Sequence, residues 1–267
     1  MKNCRFYGQA PYKTAVIHGG PGAPGEMAPV ARELSQTTGV IEPLQTTYTL
    51  DEQVEELKSV IETHTQPPIT LIGHSWGAML VFITAAKYPH LAEKLILIGS
   101  GPLEAKYAQE IMPARMSRLS KQEQEEVENI FLKINDPANN NNTNLMSRLG
   151  ELASKADSYS PLPHDSEVIE CNAGQFASVW IQAEQLRSSG GLVSLASGIT
   201  CPVTAIHGDH DPHPADGVKI PLSKRIGSFN FILLEKCGHK PWIEEFASEK
   251  FYEILKRECC RSTNCLL

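Results

Sequence analysis

A chain of 267 residues, 41% of them hydrophobic, is long enough to bury a sizeable core, and one folded unit carrying an insertion is expected. Its formal net charge of −7 argues against nucleic acid and anionic membrane surfaces as partners, since those need clustered Lys and Arg. Met1 to Tyr7 lacks the apolar centre of a signal peptide, no run approaches the ~20 apolar residues of a membrane span, and the 7 cysteines show no C-x-x-C spacing. A cytoplasmic location with reduced thiols is therefore expected.

In chain order, at most one strand or hairpin fits before the apolar strand Thr14 to Ile17, which ends in His18-Gly19-Gly20-Pro21-Gly22. Glycines at a strand end let backbone N–H groups approach a substrate oxygen, and such donors stabilise a developing oxyanion by several kcal/mol. Met27 to Thr38 reads as a helix and Gly39 to Glu42 as a strand. Thr49-x-x-Glu52 is a capping box opening a helix whose Val54, Leu57, Val60 and Ile61 recur at helical spacing.

The apolar run Pro68 to Ile72 then enters Gly73-His74-Ser75-Trp76-Gly77, and a helix-like run from Ala78 to Tyr88 follows. A strand, a tight turn and a helix with serine at the apex is the arrangement of a nucleophile elbow, in which side chains at positions 73 and 77 would collide with neighbouring elements. A serine hydroxyl becomes nucleophilic only when an imidazole takes its proton, and a carboxylate must orient that imidazole. Lys94 to Gly99 is a buried strand, so strands alternate with helices and a mainly parallel sheet covered on both faces is expected.

From Ser100 to Thr200 the strand-like runs vanish. Lys121 to Lys133 reads as a charged helix, Asn139 to Asn142 as a polar loop and Ser166 to Arg187 as another helix. The strand Pro202 to Ile206 leads into His207-Gly208-Asp209-His210-Asp211-Pro212, an acid-bearing loop in which Asp209 and Asp211 compete and Asp211 is preferred. The strand Phe229 to Leu234 is followed by Cys237-Gly238-His239, which makes His239 the candidate base, and Pro241-Trp242 opens a C-terminal helix. Gly20 and Trp76 are the candidate oxyanion donors.

With these segments placed, the chain resembles the α/β-hydrolase superfamily, and His18-Gly19-Gly20-Pro21-Gly22 with Ser75-Trp76-Gly77 is most similar to its proline iminopeptidase branch, which usually carries Gly at the position of His74. The resemblance covers about residues 14–100 and 201–257. It implies an α/β-hydrolase fold with residues 1–100 and 201–267 as the core and residues 101–200 as an inserted helical cap. It also implies a serine hydrolase with Ser75, Asp211 and His239 as triad, Gly20 and Trp76 as oxyanion donors, and no cofactor or metal. His18, His74, Phe176 and Trp180 are possible pocket lining, as are Val179 and Ile181, although a stripe at helical spacing is also ordinary packing.

The leading expectation is cleavage of a small ester, amide or related acyl substrate through an acyl-enzyme at Ser75. A proline iminopeptidase is the nearest competing expectation and needs a carboxylate such as Glu170 or Glu184 to hold a cationic α-amine. A non-catalytic binding or signalling protein could use the same fold. A metal-dependent enzyme would have to be built on His207, Asp209, His210, Asp211 and His213, whose tight loop spacing rarely converges on one ion. A small-molecule substrate is the expected partner; oligomeric state is not encoded in these patterns.

Overall fold

Apolar residues occupy both faces of the central parallel strands in near-continuous runs, which dictates a sheet buried on both sides. A computed structural model describes all residues except 1–2, 135–141, 165–166, 170–171 and 261–267. Its strands are β1 (Cys4–Tyr7), β2 (Tyr12–Ile17), β3 (Gly39–Pro43), β4 (Ile69–His74), β5 (Ala92–Ile98), β6 (Val203–Gly208) and β7 (Phe229–Leu234). They form one sheet in the order β1-β3-β2-β4-β5-β6-β7. β1 is the single extra strand expected before Thr14 and runs antiparallel to β3, whereas the other pairings are parallel.

The helices are α1 (Ala28–Leu34), α2 (Leu50–His64), α3 (Trp76–Lys87), α4 (Ala105–Ala108), α5 (Ile111–Ser117), α6 (Lys121–Ile134), α7 (Asn142–Asp157), α8 (Ala173–Ser188), α9 (Gly191–Ser194), α10 (Asp216–Ser223) and α11 (Ser248–Cys260). Ala15, Ile17, Leu71, Leu95 and Leu97 share one core cluster with residues of α2 and α3. Val16, Ile72, Ile96, Ile98 and Ile206 share the other with residues of α1 and α11. Every residue from Trp76 to Ala85 is buried, so α3 is a core helix packed all round, while α2 begins as expected with the Glu52 N–H donating to Thr49 Oγ1 at 3.2 Å.

Among the described residues six helices, α4 to α9, lie between β5 and β6, and part of this segment has its own small cluster of Leu119, Val127, Ile130, Leu152 and Ala156. Several boundaries differ from those expected of the sequence. The helix expected over Ser166 to Arg187 starts at Ala173, because the Asn172 side chain accepts the Gln175 N–H at 3.0 Å, and Glu167 to Ile169 is not helical. Of the polar loop expected over Asn139 to Asn142, Asn142 begins α7 and the rest lies outside the described residues. Pro241 to Ile243 is a separate 3₁₀ turn rather than the start of the last helix, which begins at Ser248. No helix among the described residues is long and apolar enough to cross a membrane.

Candidate active site

The C-terminal ends of β2, β4, β5, β6 and β7 meet at one edge of the sheet, where open α/β sheets place their sites. Ser75 occupies the turn between β4 and α3 with φ 52° and ψ −112°, a left-handed strained backbone for a residue with a Cβ. The turn fits only because its flanks lack side chains: a Cβ at Gly73 would overlap the Gly77 carbonyl, and one at Gly77 the carbonyls of Ile17 and His18. The Ser75 N–H donates to the Ile98 carbonyl at 2.9 Å, tying the elbow to the end of β5.

Asp211 follows β6 and is buried. His239 Nδ1 donates to Asp211 Oδ2 at 2.7 Å, which leaves Nε2 as the acceptor nitrogen of the ring. The His239 ring packs against the strand end beside Ser75: a Cβ added at Gly99 would stand 3.0 Å from its Nδ1. Burial alone would raise the Asp211 pKa, but His239, His213 and His207 together hold it well below the usual carboxylate range. Asp209 is turned elsewhere and accepts the Cys237 N–H at 3.1 Å, the local capping role of a turn aspartate.

Asp211 carries a second imidazole that the sequence motif does not call for. His213 Nδ1 and backbone N–H donate to Asp211 Oδ1 at 2.7 and 2.9 Å, and the His207 ring donates to the His213 carbonyl at 2.8 Å. Of the five residues weighed as metal ligands, only Asp211 and His213 cluster with ligating atoms close together, and His239 is the third member. Imidazole-to-carboxylate distances of 2.7 Å are those of N–H···O hydrogen bonds and shorter than the spacing of two ligands on one ion. His210 instead packs edge-on against Tyr159 at 5.3 Å between ring centroids.

In the loop after β2, the Gly19 N–H donates to Glu26 Oε2 at 3.0 Å and is thereby occupied. Gly20 has φ +53°, and Trp76 is the first residue of α3, where an N–H has no intrahelical acceptor. His18 and His74, expected as pocket lining, are instead fully buried. His18 Nδ1 donates to the Gly19 carbonyl at 2.8 Å, and burial lowers its pKa.

His74 is a structural link between three loops. Its Nδ1 lies 3.0 Å from Glu26 Oε2 and its Nε2 3.1 Å from the His239 carbonyl oxygen. Glu26 also accepts Lys240 Nζ at 2.7 Å on its other oxygen. Burial would raise the Glu26 pKa, but Lys240 and His74 hold it well below the usual range. One carboxylate thus joins the glycine loop, the elbow and the histidine loop; its position in an otherwise featureless stretch carries no local sequence signal.

The segment between β5 and β6 is fastened to this edge by hydrogen bonds to the loops after β2, β3, β6 and β7. The Asn172 N–H donates to the Gly22 carbonyl at 3.1 Å, and Gln175 Nε2 to the Gln45 and Thr47 carbonyls at 3.0 Å each. The His239 N–H donates to the Asp157 carbonyl at 2.8 Å, while buried Glu244 accepts the N–H groups of Gly238, Tyr159 and Ser160. On α8 the buried stripe is Gln175, Val179, Ala183 and Arg187, with Val179 in the same core cluster as Trp76. Phe176 and Trp180 flank it half-buried and stacked at 5.7 Å, whereas Ile181, a suggested lining residue, is 58% exposed and faces away. Glu184 pairs with Arg187; Glu170 lies outside the described residues.

The fold and this edge define a member of a known class: residues 21–246 match the family described as alpha/beta hydrolase fold, and the chain belongs to that family. It is 29% identical over 127 residues to proline iminopeptidase of Lactobacillus delbrueckii subsp. lactis, covering 40% of this chain and 43% of that protein. It is 34% identical over 55 residues to epoxide hydrolase 4 of Mus musculus, covering 21% of this chain and 15% of that protein. The chain thus spans less than half the length of these curated relatives. Among solved structures, VinJ superposes with a TM-score of 0.67 at 18% identity, covering 97% of this chain and 95% of that one. Proline iminopeptidase of Mycobacterium smegmatis gives 0.64 at 16% identity, covering 97% and 94%. Likeness at such identities establishes the fold alone.

Proposed function

We propose that the chain is a serine hydrolase of small, uncharged acyl substrates, with Ser75 as nucleophile, His239 as base, Asp211 as its orienting acid, and the Gly20 and Trp76 N–H groups as oxyanion donors. The observation that carries this reading is the 2.7 Å bond from His239 Nδ1 to Asp211 Oδ2 beside a serine held at φ 52°. In the reaction, Ser75 Oγ attacks the carbonyl carbon as its proton passes to His239 Nε2, and the two N–H groups hold the resulting oxyanion. Collapse expels the leaving group, which takes that proton, and water then hydrolyses the acyl-Ser75 by the reverse proton path. Residues 101–200 act as the cap that excludes water from these steps.

One feature supports an uncharged acyl group. Among the described residues of 101–200 the one buried carboxylate, Asp157, is held by Arg115 Nε and Nη2 at 2.7 and 2.6 Å and is not offered to a substrate amine. The iminopeptidase relatives keep the amine-recognising alternative in the test.

p-Nitrophenyl esters of graded acyl length, assayed beside prolyl arylamide and its acetyl-capped form, separate these readings. Short esters are expected to exceed prolyl arylamide in kcat/KM by at least roughly tenfold, about 1.4 kcal/mol of transition-state binding. Efficient release from the free-amine prolyl substrate, with none from the capped one, would replace this reading by the iminopeptidase one.

A further inference from the structure

We infer that His213 is a positioning residue for the proposed Asp211–His239 pair: it binds the oxygen of Asp211 that His239 does not use and thereby sets how strongly the carboxylate holds the His239 proton. The inference rests on the triad reading above.

Asp211 has two oxygens and each accepts a hydrogen bond from a different imidazole, with His207 Nε2 3.6 Å from Oδ2 and the His74 ring 4.7 Å from that of His239. Oδ2 accepts from His239 Nδ1 at 2.7 Å, and Oδ1 accepts from His213 Nδ1 at 2.7 Å and from the His213 N–H at 2.9 Å. The two rings stack with centroids 4.5 Å apart and planes within 25°. Rings anchored through Nδ1 to one carboxylate and lying nearly parallel direct their Nε2 atoms the same way, away from Asp211. His213 is therefore both a wall that limits rotation of the His239 ring and a hydrogen-bond donor that neutralises part of the carboxylate charge.

The surroundings favour a neutral His213. Asp211, His239 and Arg115 are the charged or titratable groups that act on its ring, Arg115 being paired with Asp157, and His207 donates to its carbonyl. Burial, aided by His239 and Arg115, holds its pKa below the usual imidazole value against the opposing pull of Asp211. A neutral His213 can remain the Nδ1–H donor while His239 cycles between imidazole and imidazolium, because two cations at 4.5 Å would repel.

Removing the donor leaves the Asp211 charge less compensated, so the His239 imidazolium becomes harder to deprotonate and the acid limb of the pH–rate profile moves to higher pH. His213→Phe keeps the stacked ring and the backbone N–H bond to Oδ1 but removes the side-chain donor; His213→Asn keeps a side-chain N–H donor near Oδ1 and removes the ring. With p-nitrophenyl acetate as substrate, His213→Phe is expected to raise the acid limb by about one pH unit and to lower kcat about tenfold, the loss expected for one charge-assisted hydrogen bond. His213→Asn is expected to keep the limb within about 0.3 unit of the unmodified protein, a tolerance small against the typical spread of shifted pKa values. A purely structural role would lower the melting temperature of both variants without moving the limb. In the unmodified protein, ¹⁵N NMR should show the His213 ring neutral across the pH range in which activity rises. A limb unmoved in His213→Phe, a limb moved equally in His213→Asn, or protonation of His213 with the midpoint of activity would each overturn the inference. Persistent fluorophosphonate labelling of Ser75→Ala would instead overturn the triad reading on which it rests.

Discussion

Replacing Glu26 by Gln perturbs a side chain that joins the glycine loop, the elbow and the histidine loop of the site. The carboxylate accepts the Gly19 N–H and His74 Nδ1 on one oxygen, at 3.0 Å each, and Lys240 Nζ at 2.7 Å on the other. A carboxamide has one accepting oxygen, so its NH₂ must face either the lysine ammonium or the His74 and Gly19 donors. Removing one partner of a buried ion pair costs about 3–5 kcal/mol. The Lys240 side chain is 27% exposed and can turn toward water, which favours the lower figure, about 3 kcal/mol. For a chain of this size that corresponds to a fall in Tm of about 6–12 °C. Displacing the glycine loop also shifts Gly20, and misplacing this proposed oxyanion donor should lower kcat by about 10²-fold with KM little changed. The Glu26 pKa is depressed by folding, so its contribution is present above the ordinary carboxylate pKa and is lost as pH falls toward the depressed folded value. The Tm gap between the two proteins should accordingly narrow below about pH 4. Calorimetry across pH and initial rates at saturating ester measure both effects. A Tm change under about 2 °C, against the larger shift reasoned above, together with an unchanged kcat would refute the account of Glu26 as the link.

Ser75→Ala should abolish fluorophosphonate labelling and lower turnover by several orders of magnitude while leaving the circular dichroism spectrum intact, because the triad acts as a unit; labelling mapped to another serine would remove Ser75 from the role. Asp211→Asn should cost about 10⁴-fold in kcat by leaving His239 in the wrong tautomer. Asp209→Asn retains an oxygen for the Cys237 N–H and should cost less than about tenfold, the scale of one neutral hydrogen bond; the reverse order of damage would exchange the two acids.

What can be read from the chain alone is what short stretches determine. The glycines of Gly73-His74-Ser75-Trp76-Gly77, the apolar runs before Ser75 and Asp211, and the Thr49 cap each act over a few residues, so strand, turn and helix are legible there to within a few positions. Apolar runs that alternate with helices likewise make a mainly parallel sheet buried on both faces readable in advance. Tertiary structure decides the rest, because the deciding contacts join positions far apart in sequence. Glu26 reaches His74 and Lys240, the Asp157 carbonyl takes the His239 N–H, and Gln175 seals the loop after β3. His18 and His74 read as pocket lining from their place beside the motifs, yet both are buried, since strand-end side chains turn inward or outward according to packing that no local pattern records. The start of α8 is hidden from the sequence for the same reason: the residues before it follow the glycine loop, with the Ile169 N–H donating to the Pro24 carbonyl at 2.9 Å. His213 stands in plain view beside Asp211, but only the folded loop shows that its ring turns back onto that carboxylate and stacks on a histidine from the next strand's end.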